Sequence, residues 1–120
     1  MTSILVVDDS KFQRTTIKNI LEEAGYDVIG EAANGEDAIK LALILKPEII
    51  TLDNVLPDMF GLDVMDELND VDFEAKVIMI SAVGQDIAQR EAKEIGILDY
   101  LVKPFTKEEL LEKVLKLATM

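Results

Sequence analysis

Five short apolar runs, separated by stretches with helical spacing, constrain this chain more than any other feature of its sequence. They are Ile4–Val7, the run from Asp27 to Ala32 centred on Val28 and Ile29, Ile49–Leu52, Val77–Ile80 and Leu98–Val102. Strands of this kind, apolar almost without interruption rather than in alternation, are buried on both faces and belong to parallel sheets. Between them, apolar residues recur at helical intervals. Ile17, Ile20, Leu21 and Ala24 precede Gly25, and Ala38, Ile39, Ala42 and Leu45 follow Asn34-Gly35 and stop at Lys46-Pro47, because proline disfavours helix in its predecessor. Val64, Met65 and Leu68 form a third stripe, and Ala88, Ala92 and Ile95 a weak fourth one that is expected to be the least firmly held. The last stripe, Leu110, Leu111, Val114 and Ala118, starts behind Thr106 and Glu109, which have the spacing of a capping box. Phe12 reads as a core contact, whereas Leu43 and Ile44 lie off their helix's stripe and are expected at the surface.

Strand and helix alternating five times predict an α/β fold: a doubly wound, five-stranded parallel sheet with helices on both faces. The 120 residues contain no linker, low-complexity stretch or solenoid repeat and are read as one domain, 1–120. With 49% hydrophobic residues, such a chain can cover roughly two thirds of its unfolded surface, enough for a stable monomer.

Composition removes whole classes of function. There is no Cys and no His, so disulfides, thiolate or imidazole metal sites and the usual neutral-pH general base are excluded, and any metal must be held by oxygen. A formal charge of −12 opposes binding to nucleic acid or to anionic membranes. No apolar run approaches the ~20 residues of a membrane span, and the start Met1-Thr2-Ser3 lacks the regions of a signal peptide, so the expected location is the cytoplasm.

In doubly wound sheets, sites form beyond the carboxyl ends of the strands, where the strand order reverses. Four of the five runs deliver a polar residue there: Asp8-Asp9 after the first, Asp53 after the third, Ser81 after the fourth and Lys103 after the fifth. Three clustered carboxylates repel one another unless a cation joins them, and an all-oxygen site suits Mg²⁺ or Mn²⁺ better than zinc. With that metal, the Lys103 amine and the Ser81 hydroxyl could hold the three outer oxygens of a phosphoryl group while a carboxylate, centrally Asp53, attacks phosphorus. Each feature also has a plainer reading. Asp8-Asp9 could be a helix cap or turn, Lys103 a solvated edge lysine, Ser81 a small residue opening a loop, Tyr100 a core or edge aromatic, and Asp58 a loop residue that merely adds charge.

Taken together, the motifs Val6-Val7-Asp8-Asp9-Ser10, Asp53 followed by Leu56-Pro57 and Gly61, Ser81-Ala82, and Lys103-Pro104-Phe105 resemble the receiver domains of two-component response regulators from Ile4 to Leu117. The resemblance implies that Asp53 is the phosphoacceptor and that Asp9 directly, Asp8 through water, and the main-chain carbonyl of Val55 hold Mg²⁺. It implies Ser81 as the switch hydroxyl, Lys103 as the partner of the phosphoryl group, Tyr100 as the aromatic that reports the change, and a cis bond at Lys103-Pro104. Phe12, Gly30-Glu31-Ala32, Asn34-Gly35 and the run Ser81-Ala82-Val83-Gly84-Gln85 look most similar to the stand-alone, CheY-like chemotaxis regulators. The implied partners are a histidine kinase as phosphodonor and a target bound through the face of helix four, strand five and helix five, at a flagellar or archaellar motor switch; a phosphorelay regulator unlinked to motility is the alternative. Val55 and Val83 depart from better-known members in being apolar, which predicts poor placement of attacking water and slow self-hydrolysis.

Other classes fit less well. An aspartyl phosphatase or phosphotransferase would carry its two first-strand acids two apart rather than adjacent, and would need a cap over its substrate, so no enzyme acting on external substrates is expected. A flavin or nucleotide site would need a phosphate-cradling glycine-rich loop after the first strand, where Asp8-Asp9 would repel phosphate.

Overall fold

In the computed structural model the five apolar runs form one parallel sheet in the order β2-β1-β3-β4-β5. All residues are described here except Asp72, Val83, Gln85 and the side chain of Ile87. The expectations for Val83 and Gln85 therefore lie outside the described residues. The strands are β1 (Ser3–Val7), β2 (Asp27–Ala32), β3 (Ile49–Leu52), β4 (Lys76–Ser81) and β5 (Asp99–Val102). They alternate with α1 (Lys11–Glu23), α2 (Gly35–Leu45), α3 (Gly61–Asn69), α4 (Asp86–Glu94) and α5 (Lys107–Ala118).

Successive strand residues point to opposite faces, so the sheet divides the apolar residues into two cores. Ile4, Val6, Ile49, Ile78 and Ile80 meet Ile17 and Leu21 of α1 and Leu110, Val114 and Leu117 of α5. On the other face, Leu5, Val7, Ile50, Leu52 and Met79 meet Ala38 and Ala42 of α2, Val64, Met65 and Leu68 of α3, and Ala92 of α4. A fully buried side chain of this size stabilises by about 1.5–3 kcal/mol relative to exposure.

Helix ends obey local chemistry. Ser10 accepts from Gln13 N at 3.3 Å and so caps α1, while Asn34 accepts from Asp37 N at 2.8 Å and caps α2. The box before α5 forms as predicted, with Glu109 N donating to Thr106 Oγ1 at 3.1 Å and Thr106 N donating to Glu109 Oε1 at 2.9 Å. At the far end of α5, the Lys76 amine donates to the Leu117 and Met120 carbonyls.

Two expected core contacts are corrected. Phe12 is 76% exposed, because α1 begins at Lys11 and its buried stripe runs through Ile17 and Leu21. Ala24 is also exposed, since the helix ends at Glu23 and Ala24 is its C-cap. Leu43 and Ile44 are exposed as expected.

Candidate functional site

The strand order reverses between β1 and β3, which lie side by side with Val7 opposite Leu52. That register fixes the next residue of each strand. Asp53 N donates to the Val7 carbonyl at 3.0 Å, and Asp8 N donates to the Ala32 carbonyl at the end of β2 at 3.0 Å. Asp8, Asp9 and Asp53 consequently converge, each offering a carboxylate oxygen within 4.8 Å of the others. Asp8 and Asp53 are buried, at 1% and 7% exposure, while Asp9 is open to solvent.

Ser81, fully buried, ends β4, and its carbonyl accepts from Lys103 N at 2.9 Å. Lys103, just past β5 and followed by a cis bond to Pro104, sends its amine back over the rim. Its Nζ lies 2.7 Å from Asp8 Oδ2 and 3.4 Å from Asp53 Oδ2. Both Asp8 oxygens are engaged, since Oδ1 accepts from Ser10 N at 2.9 Å. The Asp53 side chain keeps more capacity: Oδ1 accepts from Val55 N at 3.3 Å, and Oδ2 has the longer contact to Lys103.

The electrostatics follow from this geometry. Burial pushes the Asp53 carboxyl above its ordinary 3.8; the Lys103 cation pulls it back, the Asp8 charge raises it again, and the Val55 amide lowers it. Burial lowers Lys103, but its hydrogen bond to Asp8 and the charges of Asp53 and Asp8 outweigh this, so the amine is held above 10.5. One ammonium thus faces three carboxylates. An all-carboxylate donor set of this kind fits a hard divalent cation, which would bring Asp9 into the cluster and relieve the repulsion that Lys103 leaves.

The site depends on one close approach. A Cβ built on Gly61 would lie 2.6 Å from the Asp53 carbonyl and 3.0 Å from Asn54 Cα, so only glycine lets α3 start against the backbone that carries Asp53. Phe60, just before α3, has no side-chain acceptor; its N–H instead donates to Asp63 Oδ2 at 2.9 Å. Tyr100 sits half-buried on β5, where it packs against the α2-α3-α4 core and borders a groove of about 460 Å³ between α4 and β5. Leu98 and Val102 are exposed near it, at 48% and 36%.

Two polar contacts escaped the sequence reading. Arg14 donates through Nη1 to the Asp8 carbonyl at 2.7 Å and pairs through Nε with Glu31 at 3.4 Å. Asp58, read above as a loop residue, accepts from Gly35 N at 2.8 Å and Glu36 N at 3.0 Å, at the start of α2. Asp8 lies ahead of α1 and six residues from Arg14, so helical spacing gives no signal for the first contact. A separation of 23 residues gives none for the second.

No helix among the described residues is long and apolar enough to cross a membrane. The family model for the response regulator receiver domain matches residues 4–115. The chain is 41% identical to the chemotaxis protein CheY of Thermotoga maritima, over 96% of each chain, and 45% identical to protein CcdB of Bacillus subtilis, over 95% of each. Among solved structures, it superposes with a TM-score of 0.92 on a chain of the CheX–CheY–BeF3–Mg²⁺ complex of Borrelia burgdorferi, at 30% identity, covering 98% of this chain and 89% of that one. A doubly wound sheet with an acidic pocket at its switch point, and a family match along nearly its whole length, place this chain among the response regulator receiver domains.

Proposed function

We propose that this chain is a one-domain phosphorylation switch, 1–120, in which Asp53 accepts a phosphoryl group from a histidine kinase and the altered surface then binds a target. The observation that carries this reading is the state of Asp53: a buried carboxylate, only partly neutralised by Lys103, at the point where three carboxylates converge. Asp9, Asp53 and the Val55 main-chain carbonyl would hold Mg²⁺ or Mn²⁺ directly, and Asp8 through water, because both Asp8 oxygens already have partners. When bound, that ion supplies positive charge for the phosphoryl oxygens.

In the transfer, an Asp53 carboxylate oxygen attacks phosphorus, the new O–P bond forms as the donor's N–P bond breaks, and the departing imidazole takes a proton from solvent. With no histidine of its own, the chain needs an external donor. Lys103, whose amine lies 3.4 Å from Asp53 Oδ2, would turn toward one of the new oxygens, and the Ser81 hydroxyl would take another. Tyr100 would carry the change to the α4-β5-α5 face, where the groove and the exposed Leu98 and Val102 offer a target surface. Identity to chemotaxis CheY proteins supports a flagellar or archaellar motor switch as that target; a cytoplasmic location and a monomeric resting state complete the proposal. The 45% identity to protein CcdB, a relative not named for chemotaxis, leaves a second reading, a single-domain regulator outside motility. Loss of taxis with motility retained in a deletion strain supports the first, and unaffected taxis the second.

The deciding experiment is intact mass after incubation with acetyl phosphate and Mg²⁺, for wild type and Asp53→Asn. A metal-dependent gain of one phosphoryl mass, absent in the variant, is expected. No gain where a control receiver reacts would leave a phosphorylation-independent binding domain. The Val55 side chain, 53% exposed beside Asp53, offers water no hydrogen bond. Self-hydrolysis should therefore take minutes or more, and Val55→Asn should speed it; a wild-type lifetime of seconds would refute this.

A further inference from the structure

The loop from Asn54 to Phe60 is closed on itself and seated on a different helix. At its base, Gly61 N donates to the Asn54 carbonyl at 2.7 Å, and Val55 and Phe60 form an isolated antiparallel bridge. Nearer the tip, Leu56 N donates to the Met59 carbonyl at 3.2 Å. At the tip itself, both carboxylate oxygens of Asp58 are taken by the first two amides of α2, Gly35 and Glu36. These are among the amides that a helix cannot satisfy internally. The next amide, Asp37 N, is capped by Asn34, so α2 completes its start only by borrowing the carboxylate of a distant loop. The Met59 side chain lies where a Cβ on Gly35 would be, so any larger residue at that position would force Met59, which flanks the tip, to move. The two amides hold the Asp58 carboxyl below its ordinary 3.8, as expected for a carboxylate fixed by main-chain donors.

Three residues from the tip, Val55 N donates to Asp53 Oδ1, and its carbonyl belongs to the metal site proposed above. From this arrangement we infer that Asp58 is a positioning residue: by anchoring the loop tip to the N-terminus of α2, it holds the Val55 peptide against Asp53 and couples α2 to occupancy of the phosphorylation site. The inference rests on that reading of the site for its metal-linked part, and on hydrogen-bond geometry alone for its mechanical part. Coupling of this kind is reciprocal: if a seated tip favours the metal, the metal favours a seated tip.

The test uses the whole chain as wild type, Asp58→Ala and Asp58→Asn. Amide exchange without metal comes first. Asp58→Ala should speed exchange at Gly35 and Glu36 and also at Val55 and Gly61, which Asp58 does not touch. Faster exchange at Gly35 and Glu36 alone would overturn the inference, leaving Asp58 as a helix cap only. Mg²⁺ titration followed by NMR comes second. Asp58→Ala should bind roughly tenfold more weakly, as for loss of a group that orients a ligand, with Asp58→Asn in between because it keeps one acceptor. The ratio should persist in about 1 M KCl, where charges are screened beyond roughly 3 Å. A ratio that collapses in salt would overturn the inference, because a lost acidic charge would then explain the effect. In wild type, Mg²⁺ should in turn slow exchange at Gly35 and Glu36. If wild type binds no Mg²⁺ while the metal-free exchange changes as expected, the proposed metal site fails and the mechanical anchor stands. If Asp58→Ala does not fold, Asp58→Asn serves for every comparison.

Discussion

Helices α4 and α5 flank the same edge strand from opposite faces and hold it by different means. Helix α5 has a complete capping box, buries Leu110, Val114 and Leu117, and has its last carbonyls held by Lys76. Its Lys113 also reaches Asp99 at the start of β5, at 2.9 Å. Among the described residues of α4, only Ala92 is buried, and an alanine has little apolar surface to lose. The comparison teaches where a population shift can occur: local opening is cheapest where few apolar contacts are lost. The weakly held helix is the one beside Tyr100 and the α4–β5 groove.

The comparison breaks most readily at Leu110. Leu110→Ala should cost about 2–5 kcal/mol in urea unfolding, because it opens a cavity in the core beneath α5; a loss below 1 kcal/mol would mean that α5 is no better anchored than α4. Next, Thr106→Ala should cost about 1 kcal/mol by removing the cap, and faster amide exchange should be confined to the first turn of α5. A smaller effect, of opposite sign, is expected at Thr51, whose buried hydroxyl has no partner on the α5 side of the sheet. Thr51→Val should gain up to about 1 kcal/mol, and destabilisation would show that the hydroxyl has a partner.

The smallest shift belongs to the rim. A carboxyl whose folded pKa is raised binds its proton more tightly in the folded state, so its stabilising contribution is complete below 3.8 and is lost as pH rises through the folded value. In EDTA-treated protein, Asp53→Asn should therefore unfold at slightly higher urea than wild type at pH 7, with the gap closing below pH 3.8. A gap unchanged across that range would show that the titration of Asp53 is not its source. Amide exchange of wild type should meanwhile be faster in α4 than in α5, and phosphorylation should alter α4 first.

How much of this could be read beforehand depended on how local each cause was. The parallel sheet was legible because β1, β3 and β4 are nearly unbroken apolar runs, and the convergence of Asp8, Asp53 and Lys103 because each follows a strand end. The box at Thr106 and Glu109 was legible because both partners lie within one turn. Phe12 misled because its apolar character says nothing of where α1 begins; with Lys11 as the first helical residue, it faces water. Leu117 was passed over for its neighbour Ala118, yet it is the one that is fully buried, since both lie near the stripe and only packing depth separates them. The Asp58 contacts were hidden because their partners are backbone atoms, which carry no sequence signature, and those of Arg14 because Asp8 and Glu31 both lie outside its helix.

The sheet's backbone stands as a wall between two cores, each lined by its own helices. Substitutions on opposite sides, such as Leu21 and Leu68, are therefore neighbours of different residues, and their costs should simply add. A lineage can then remodel one side of such a protein for a new client while the other keeps it folded. Only the rim, where both sides meet at Asp53, must be inherited as a piece.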